Sequence, residues 1–367
     1  MALINVPGIS TGNTVDCISR YYERMIGAGT PCRDIRPIMM FGPTGVGKSS
    51  AVYQVADRLT ENLGKPVKVV DVRLTSCTIT DLIGIPVASE DRETTVWLRP
   101  EIYADDGAGS YYIYFFDELD KASPAVQAAA LQLILDRKAW THSFPENSFV
   151  IAAANPARGT SKYETRMAPE LMNRFRHFNV QPDYDSFKAW AIIENIHPYV
   201  LGFLSYDNSK LYAKSESDEI AFPTPRSWKS VSDLLYACEG LYEDMSELHN
   251  DIAGDIGTGI ALEFEGWCAM YKYLPDTERI VRGEEPNLPG MSDVLHAVIS
   301  SLTVYVARHT KDITVQELNN ICKYAKGFPE DFQMLFFNDL KGMESIKMRL
   351  MKVPSYMDWL KAVQKMG

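Results

Sequence analysis

What this sequence lacks narrows it first. Its six cysteines (Cys17, Cys32, Cys77, Cys238, Cys268 and Cys322) are scattered with no Cys-x-x-Cys pair, so neither a zinc ribbon nor a disulfide framework is expected, and they read as buried reduced thiols. The six histidines are equally dispersed. His296, on the flank of an apolar stripe, reads as structural, and metal catalysis through protein nitrogen or sulfur ligands is not expected. No run of about 18 apolar residues occurs, so no membrane span is expected. The first residues, Met1 to Thr14, have neither the basic nor the apolar region of a secretory signal, which makes a cytoplasmic location the expectation. Positive charge is also short: 37 Lys and Arg stand against 48 Asp and Glu, a net −11. That is the wrong sign for a surface that wraps nucleic acid, although basic loops can still touch phosphates. There is no repeat of fixed period and no low-complexity stretch.

What is present is a globular composition, 46% hydrophobic and 23% charged, which excludes a wholly disordered chain. The 367 residues suit two or three units at about 150 residues each. Short apolar runs at Ile35 to Phe41, Val67 to Val72, Tyr111 to Phe116, Phe149 to Ala154 and His177 to Val180 read as buried strands. Helical or irregular stretches separate them, and Val52, Val55, Ala56, Leu59 and Leu63 fall at helical spacing. This alternation predicts an α/β fold with a mostly parallel sheet covered on both faces. From Asp183 onward only helix patterns occur. The expected division is an α/β domain over 1–182, a helical lid over 183–281 and a helical C-terminal extension over 282–367. In the extension, Leu295, Val298, Ile299, Leu302 and Val306 form one stripe, and Thr314 with Glu317 forms a capping box.

The chemistry sits at the ends of the predicted strands. Gly42-Pro43-Thr44-Gly45-Val46-Gly47-Lys48-Ser49 follows a strand and opens a helix, the setting in which a glycine-rich loop wraps phosphates with its backbone N–H groups. The helix N-terminus adds partial positive charge, Lys48 reaches the outer phosphates and Ser49 ligates Mg2+. The strand ending at Phe116 leads into Asp117-Glu118. A carboxylate at a strand tip holds the metal through its water shell, and its neighbour orients and deprotonates water, which makes Asp117 metal-side and Glu118 water-side. No Asn-Lys-x-Asp guanine-reading motif occurs, so ATP hydrolysis is favoured over GTP hydrolysis or phosphoryl transfer to a small molecule. The next predicted strand ends at Asn155-Pro156. An amide there would lie between the strands carrying the loop and the acids, within reach of the terminal phosphate or the water.

In order, GPTGVGKSS (through Ser50), FFDELD, AAANP, LMNRF and TPRS resemble the AAA+ ATPases, and within them the MoxR-like branch related to magnesium-chelatase motor subunits. The resemblance covers about residues 30 to 275. It implies that Asn155 is sensor 1, that Arg174 is an arginine finger reaching a neighbouring subunit, with Arg176 and Arg166 as rivals, and that Arg226 is sensor 2. It also implies MgATP as the cofactor, a homo-oligomeric ring, a hexamer, and chaperone-like work on a partner protein, often one with a von Willebrand A domain. Two segments read as inserted hairpins, one spanning Gly84 to Leu98 and one spanning Lys138 to Asn147. Both either project toward a pore or pack against the domain. Their aromatic and apolar residues (Trp97, Leu98, Trp140, Phe144) suit a polypeptide. A nucleic-acid-directed translocase or loader is the alternative, and a nucleotide-gated scaffold with negligible turnover is a third reading that intact Lys48 and Glu118 disfavour.

Overall fold

The computed structural model describes residues 6–103, 105–155, 172–213, 220–242, 244–269 and 274–366. The chain forms two compact units, Met1–Asp183 and Tyr184–Gly367.

The first unit is built on a six-stranded sheet of β1 (Gly8–Ser10), β2 (Ile38–Phe41), β3 (Val67–Arg73), β6 (Tyr111–Asp117), β9 (Ser148–Ala154) and β10 (Arg176–Gln181). The spatial order is β1-β10-β2-β9-β6-β3, and each neighbouring pair is parallel. Central strands that read as continuous apolar runs are buried on both faces, as a parallel sheet requires. The period-two alternation sorts them. Met40, Ile113, Phe115, Phe149, Ile151 and Ala153 join one core with α1 (Thr11–Gly27) and α2 (Lys48–Leu63). Met39, Tyr112, Tyr114, Phe116, Val150 and Ala152 join the opposite core with α3 (Ile79–Ile83) and α4 (Pro124–Asp136). Each large side chain so buried contributes roughly 1.5–3 kcal/mol.

Two short hairpins stand off this sheet, β4 (Ile85–Ala88) with β5 (Thr95–Leu98), and β7 (Lys138–Ala139) with β8 (His142–Ser143). They are joined by a ring stack of Trp97 on Trp140, with centroids 5.1 Å apart. Of the two places open to Phe144, a gripping surface or the core, it takes the core, stacking on Tyr114 at 3.7 Å. Ser123 occupies the N-cap of α4 and Pro124 its first helical position, although the Ser123 side chain makes no capping hydrogen bond. The pattern reading placed no elements before Ile35. There Ser10 caps α1 by accepting from the Asn13 N–H, and Val15, Ile18 and Tyr22 form the buried stripe.

The second unit is helical in every described element from Tyr184–Ile193 to Pro354–Met366. Two cores fill it, and the helix Ser292–Arg308 serves both. Leu295, Val298, Ile299, Leu302 and Val306 face the C-terminal core, while Ala297 and Val304 join the core of the preceding segment. That helix lies beyond the expected boundary at 281/282 yet completes the core before it. A partly buried ion pair, Lys188 to Asp339 at 2.8 Å, ties Tyr184–Ile193 to Glu330–Gly342. The Thr314–Glu317 capping box is formed. His296 shares a hydrogen bond with Ser205. Of the cysteines read as buried, Cys32, Cys268 and Cys322 are, whereas Cys17, Cys77 and Cys238 are half-exposed: Cys17 flanks the buried stripe of α1, and Cys77 and Cys238 sit just past the ends of helical segments.

His197 makes this unit acid-sensitive. Its Nδ1 accepts the Tyr199 N–H at 3.1 Å at the start of the helix Pro198–Tyr206, a role only the neutral ring can fill. Burial, with the Arg308 charge, pushes its pKa from 6.5 down to about 3. A folded-state pKa below the unfolded value means the unfolded chain binds the proton first, so this contribution is complete above pH 6.5 and is lost as pH falls toward 3. Denaturant melts of the wild-type chain should lose stability across that window, and His197→Gln should flatten the slope.

Candidate active site

The phosphate-loop candidate begins where β2 ends. Gly42 is pressed against β10: a Cβ there would meet the Val180 carbonyl oxygen at 2.6 Å. Gly45 and Gly47 have φ of 79° and 98°, conformations that glycine adopts without strain. The backbone therefore coils tightly before α2 starts at Lys48. On the outer side, the Thr11 hydroxyl donates to the Val46 carbonyl at 3.1 Å, anchoring the loop to the first turn of α1.

Sheet order gathers the remaining groups. Because β9 lies between β2 and β6, Asn155 follows a strand flanked by the loop and the acidic pair. Lys48 Nζ donates to the carbonyls of Gly42 (2.7 Å) and Pro43 (3.1 Å) and to Asn155 Oδ1 (3.1 Å). Ser49 Oγ donates to Asp117 Oδ2 at 3.0 Å. The Asn155 N–H donates to Asp120 Oδ1 at 3.2 Å, and burial pushes the Asp120 carboxyl above its ordinary range. Lys48, Ser49, Asp117, Glu118 and Asn155 thus converge on one end of the sheet.

Glu118 holds a left-handed backbone, φ 57°, uncommon for a residue with a Cβ and concentrated at functional turns. Its carboxylate accepts from Lys121 Nζ and, at 2.9 Å, from Thr75 Oγ1. The Lys121 hydrogen bond first, and Thr75 after it, hold this carboxyl below the usual range, so it stays ionised. Neither partner was found in the sequence. Lys121 lies three residues beyond Glu118 in the same turn, a closeness that could have flagged it. Thr75 is brought in only by the register of β3 on β6, where Arg73 stands opposite Asp117.

The arginines lie elsewhere. Arg174 is exposed and precedes β10, whose first residue Arg176 stands opposite Ile38 at the start of β2. The phosphate loop leaves the far end of β2, on the order of 15 Å away at 3.3 Å per residue. The Arg174 and Asn173 carbonyls accept from Arg36, which fixes the turn. Arg176 lies over the Tyr21 ring at 3.9 Å. Arg166 lies outside the described residues. Arg226 belongs to the second unit, where Thr224 and Ser227 form a capping box and Pro225 opens the helix Pro225–Ala237. Capping chemistry accounts for three residues of Thr-Pro-Arg-Ser; the exposed Arg226 sits in a first helical turn that disfavours cations.

The donor set fits a nucleotide with a divalent cation. A coiled loop, a helix N-terminus and Lys48 supply phosphate donors, and Ser49 with Asp117 supplies an oxygen pair. Among the described residues no cluster of three His, Cys, Asp or Glu could hold a metal by itself. Mg2+ takes one or two protein oxygens and completes its shell with phosphate and water, and the Ser49–Asp117 pair offers such oxygens.

Residues 37–175 match the family described as AAA domain (dynein-related subfamily). This stretch is an AAA+ ATPase domain. The chain is 27% identical over 195 residues to the ATP-dependent Clp protease ATP-binding subunit ClpE of Lactococcus lactis subsp. lactis (strain IL1403), covering 46% of this chain and 25% of that one. It is 26% identical over 160 residues to the chaperone protein ClpB of Mycoplasmoides gallisepticum, covering 39% and 22%. It therefore spans about a quarter of the length of these curated relatives. Among solved structures, C. elegans PCH-2 matches with a TM-score of 0.32 and 13% identity over 71% of this chain and 69% of that one. The family match and the Clp relatives support the AAA+ assignment and leave the finer MoxR-like branch to the sequence resemblance. No helix among the described residues is long and apolar enough to cross a membrane.

Proposed function

We propose that this AAA+ ATPase is of the MoxR-like type and forms a homo-oligomeric ring, a hexamer, that couples MgATP hydrolysis to remodelling or activation of a partner protein. The supporting observation is the convergence of Lys48, Ser49, Asp117, Glu118 and Asn155 on one sheet end. ATP with Mg2+, when bound, supplies the phosphoryl group and the charge that neutralises it. Residues Gly42 to Ser50 would hold the phosphates, and Ser49 with Asp117 the cation. Glu118, kept ionised by Lys121, accepts the proton of the attacking water. Asn155 positions the terminal phosphate, Arg174 completes the neighbour's site, and Arg226 reports the nucleotide from the lid. The three-part division into domain (1–182), lid (183–281) and extension (282–367) belongs to the same proposal, as does a partner bearing a von Willebrand A domain.

A protein target is favoured over nucleic acid by what the two hairpins offer. Arg92, Arg99, Lys138 and His142 are offset by Glu90, Asp91, Glu93 and Glu146, whereas Leu98 and Trp140 are 54% and 64% exposed. Steady-state phosphate release tests the reading. Wild type should turn over ATP, and Lys48→Ala should fail to bind it. Single- or double-stranded DNA at about 50 mM salt, where phosphate contacts are strong, should leave the rate unchanged. Several-fold, salt-sensitive stimulation by DNA would replace the protein target with a nucleic-acid one.

A further inference from the structure

The β4–β5 hairpin has one aliphatic face and one open edge. Its register pairs Ile85 with Leu98, Pro86 with Trp97, Val87 with Val96 and Ala88 with Thr95. Side chains alternate along each strand, so Ile85, Val87, Val96 and Leu98 share a face. Ile85, Val96 and Leu98 are each about half exposed, at 54%, 48% and 54%, and none of the four joins a hydrophobic core among the described residues. Trp97 emerges on the opposite face, where it stacks on Trp140.

The hydrogen-bond phase of the ladder shows which edge is open. The Ser89 N–H donates to the Thr94 carbonyl at 3.0 Å, making that pair hydrogen-bonded. Bonded and non-bonded pairs alternate in an antiparallel ladder. Val87–Val96 and Ile85–Leu98 are then bonded pairs, while Pro86, Ala88, Thr95 and Trp97 turn their backbone groups outward. On the β4 side Pro86 has no N–H to offer, a common way of blunting an edge. On the β5 side Thr95 and Trp97 each present an N–H and a C=O. The tip beside this edge carries Glu90, Asp91 and Glu93 against a single Arg92.

We propose that β5 is an acceptor for strand addition: an extended segment of the target polypeptide pairs along its outer edge. The segment lays alternate aliphatic side chains beside Val96 and Leu98 and brings basic residues to the acidic tip. The inference deepens the proposed function by naming the chemistry of the target, and it rests on that reading for a polypeptide target. Backbone pairing supplies affinity and the alternation supplies selectivity, as in other strand-addition modes. The Trp97–Trp140 stack braces the hairpin from behind, so the added strand meets a fixed edge.

The probe is a fluorescein-labelled heptapeptide of alternating valine and lysine, followed by anisotropy with the full chain. Wild type should bind it, and Thr95→Pro, which removes one outward N–H and leaves the bonded pairs intact, should weaken binding by about tenfold. Thr95→Val should not. Against unaltered wild-type protein, N-methylating the peptide nitrogens of one alternate set should abolish binding, while methylating the other set should have little effect. Equal binding of both methylated peptides, or none of the parent peptide to a chain that hydrolyses ATP, would overturn the inference and leave the proposed function standing. Peptide binding by a chain without phosphate release would have the reverse meaning. Sedimentation in which Thr95→Pro dissociates the chain's own assembly while the peptide still binds would assign the edge to a second copy and also overturn it.

Discussion

Glu118→Gln is expected to bind MgATP as the wild type does and to lose hydrolysis by about 100-fold or more. The amide has the shape of the carboxylate; its oxygen can still accept from Lys121 while its NH2 donates to the Thr75 hydroxyl, which reverses its role, so the turn should survive, including its left-handed backbone. What is lost is the proton acceptor. Ser49 keeps its bond to Asp117 and Lys48 its bond to Asn155, and they continue to hold phosphate and cation. Nucleotide titration alongside phosphate release separates the two effects. Turnover within about threefold of wild type would show that the base assigned through the general chemistry of NTP hydrolysis lies elsewhere.

The same site shows what a linear sequence can reveal. Lys48, Ser49, Asp117, Glu118 and Asn155 were legible because each stands at the end of an apolar run, and a run long enough to be a buried strand announces where its chain emerges. Sheet order was partly implied as well: an amide after the fourth such run belongs between loop and acids, and β9 is found there. Thr75 was not legible. It lies 43 residues from Glu118 in a short polar turn, and only the β3–β6 register brings the two together. Strand β1 was missed for another reason. Its three residues, Gly8–Ser10, are too few to show a period, and its stability comes from pairing with β10. The place of Phe144 stayed open because the two-residue strand before it gives no inward or outward signal. Its place against Tyr114 is set by the closure of the second hairpin onto the sheet.

Arg174→Ala is expected to bind nucleotide normally and to lose roughly 10^3- to 10^5-fold in rate, the contribution of an arginine finger. The geometry supports action between subunits. Arg174 precedes the strand that starts beside Ile38, at the opposite sheet end from its own phosphate loop, so its guanidinium is too far to serve that loop. Arg176 is a weaker candidate because its guanidinium lies on Tyr21 within the same subunit. Arg176→Ala should cost that contact, on the order of 0.5–1 kcal/mol of stability, and leave most of the rate. Mixing decides between a finger and a structural arginine. Lys48→Ala has no working loop but retains Arg174, and Arg174→Ala has the loop but no finger. Each should be nearly silent alone, and a mixture should recover activity in proportion to the interfaces that pair one good loop with one good finger. Wild-type activity per subunit should likewise rise with concentration through the range where light scattering shows assembly. A mixture as silent as its components, with both variants shown by scattering to co-assemble, would place the contribution of Arg174 inside its own subunit and remove the trans site from the mechanism.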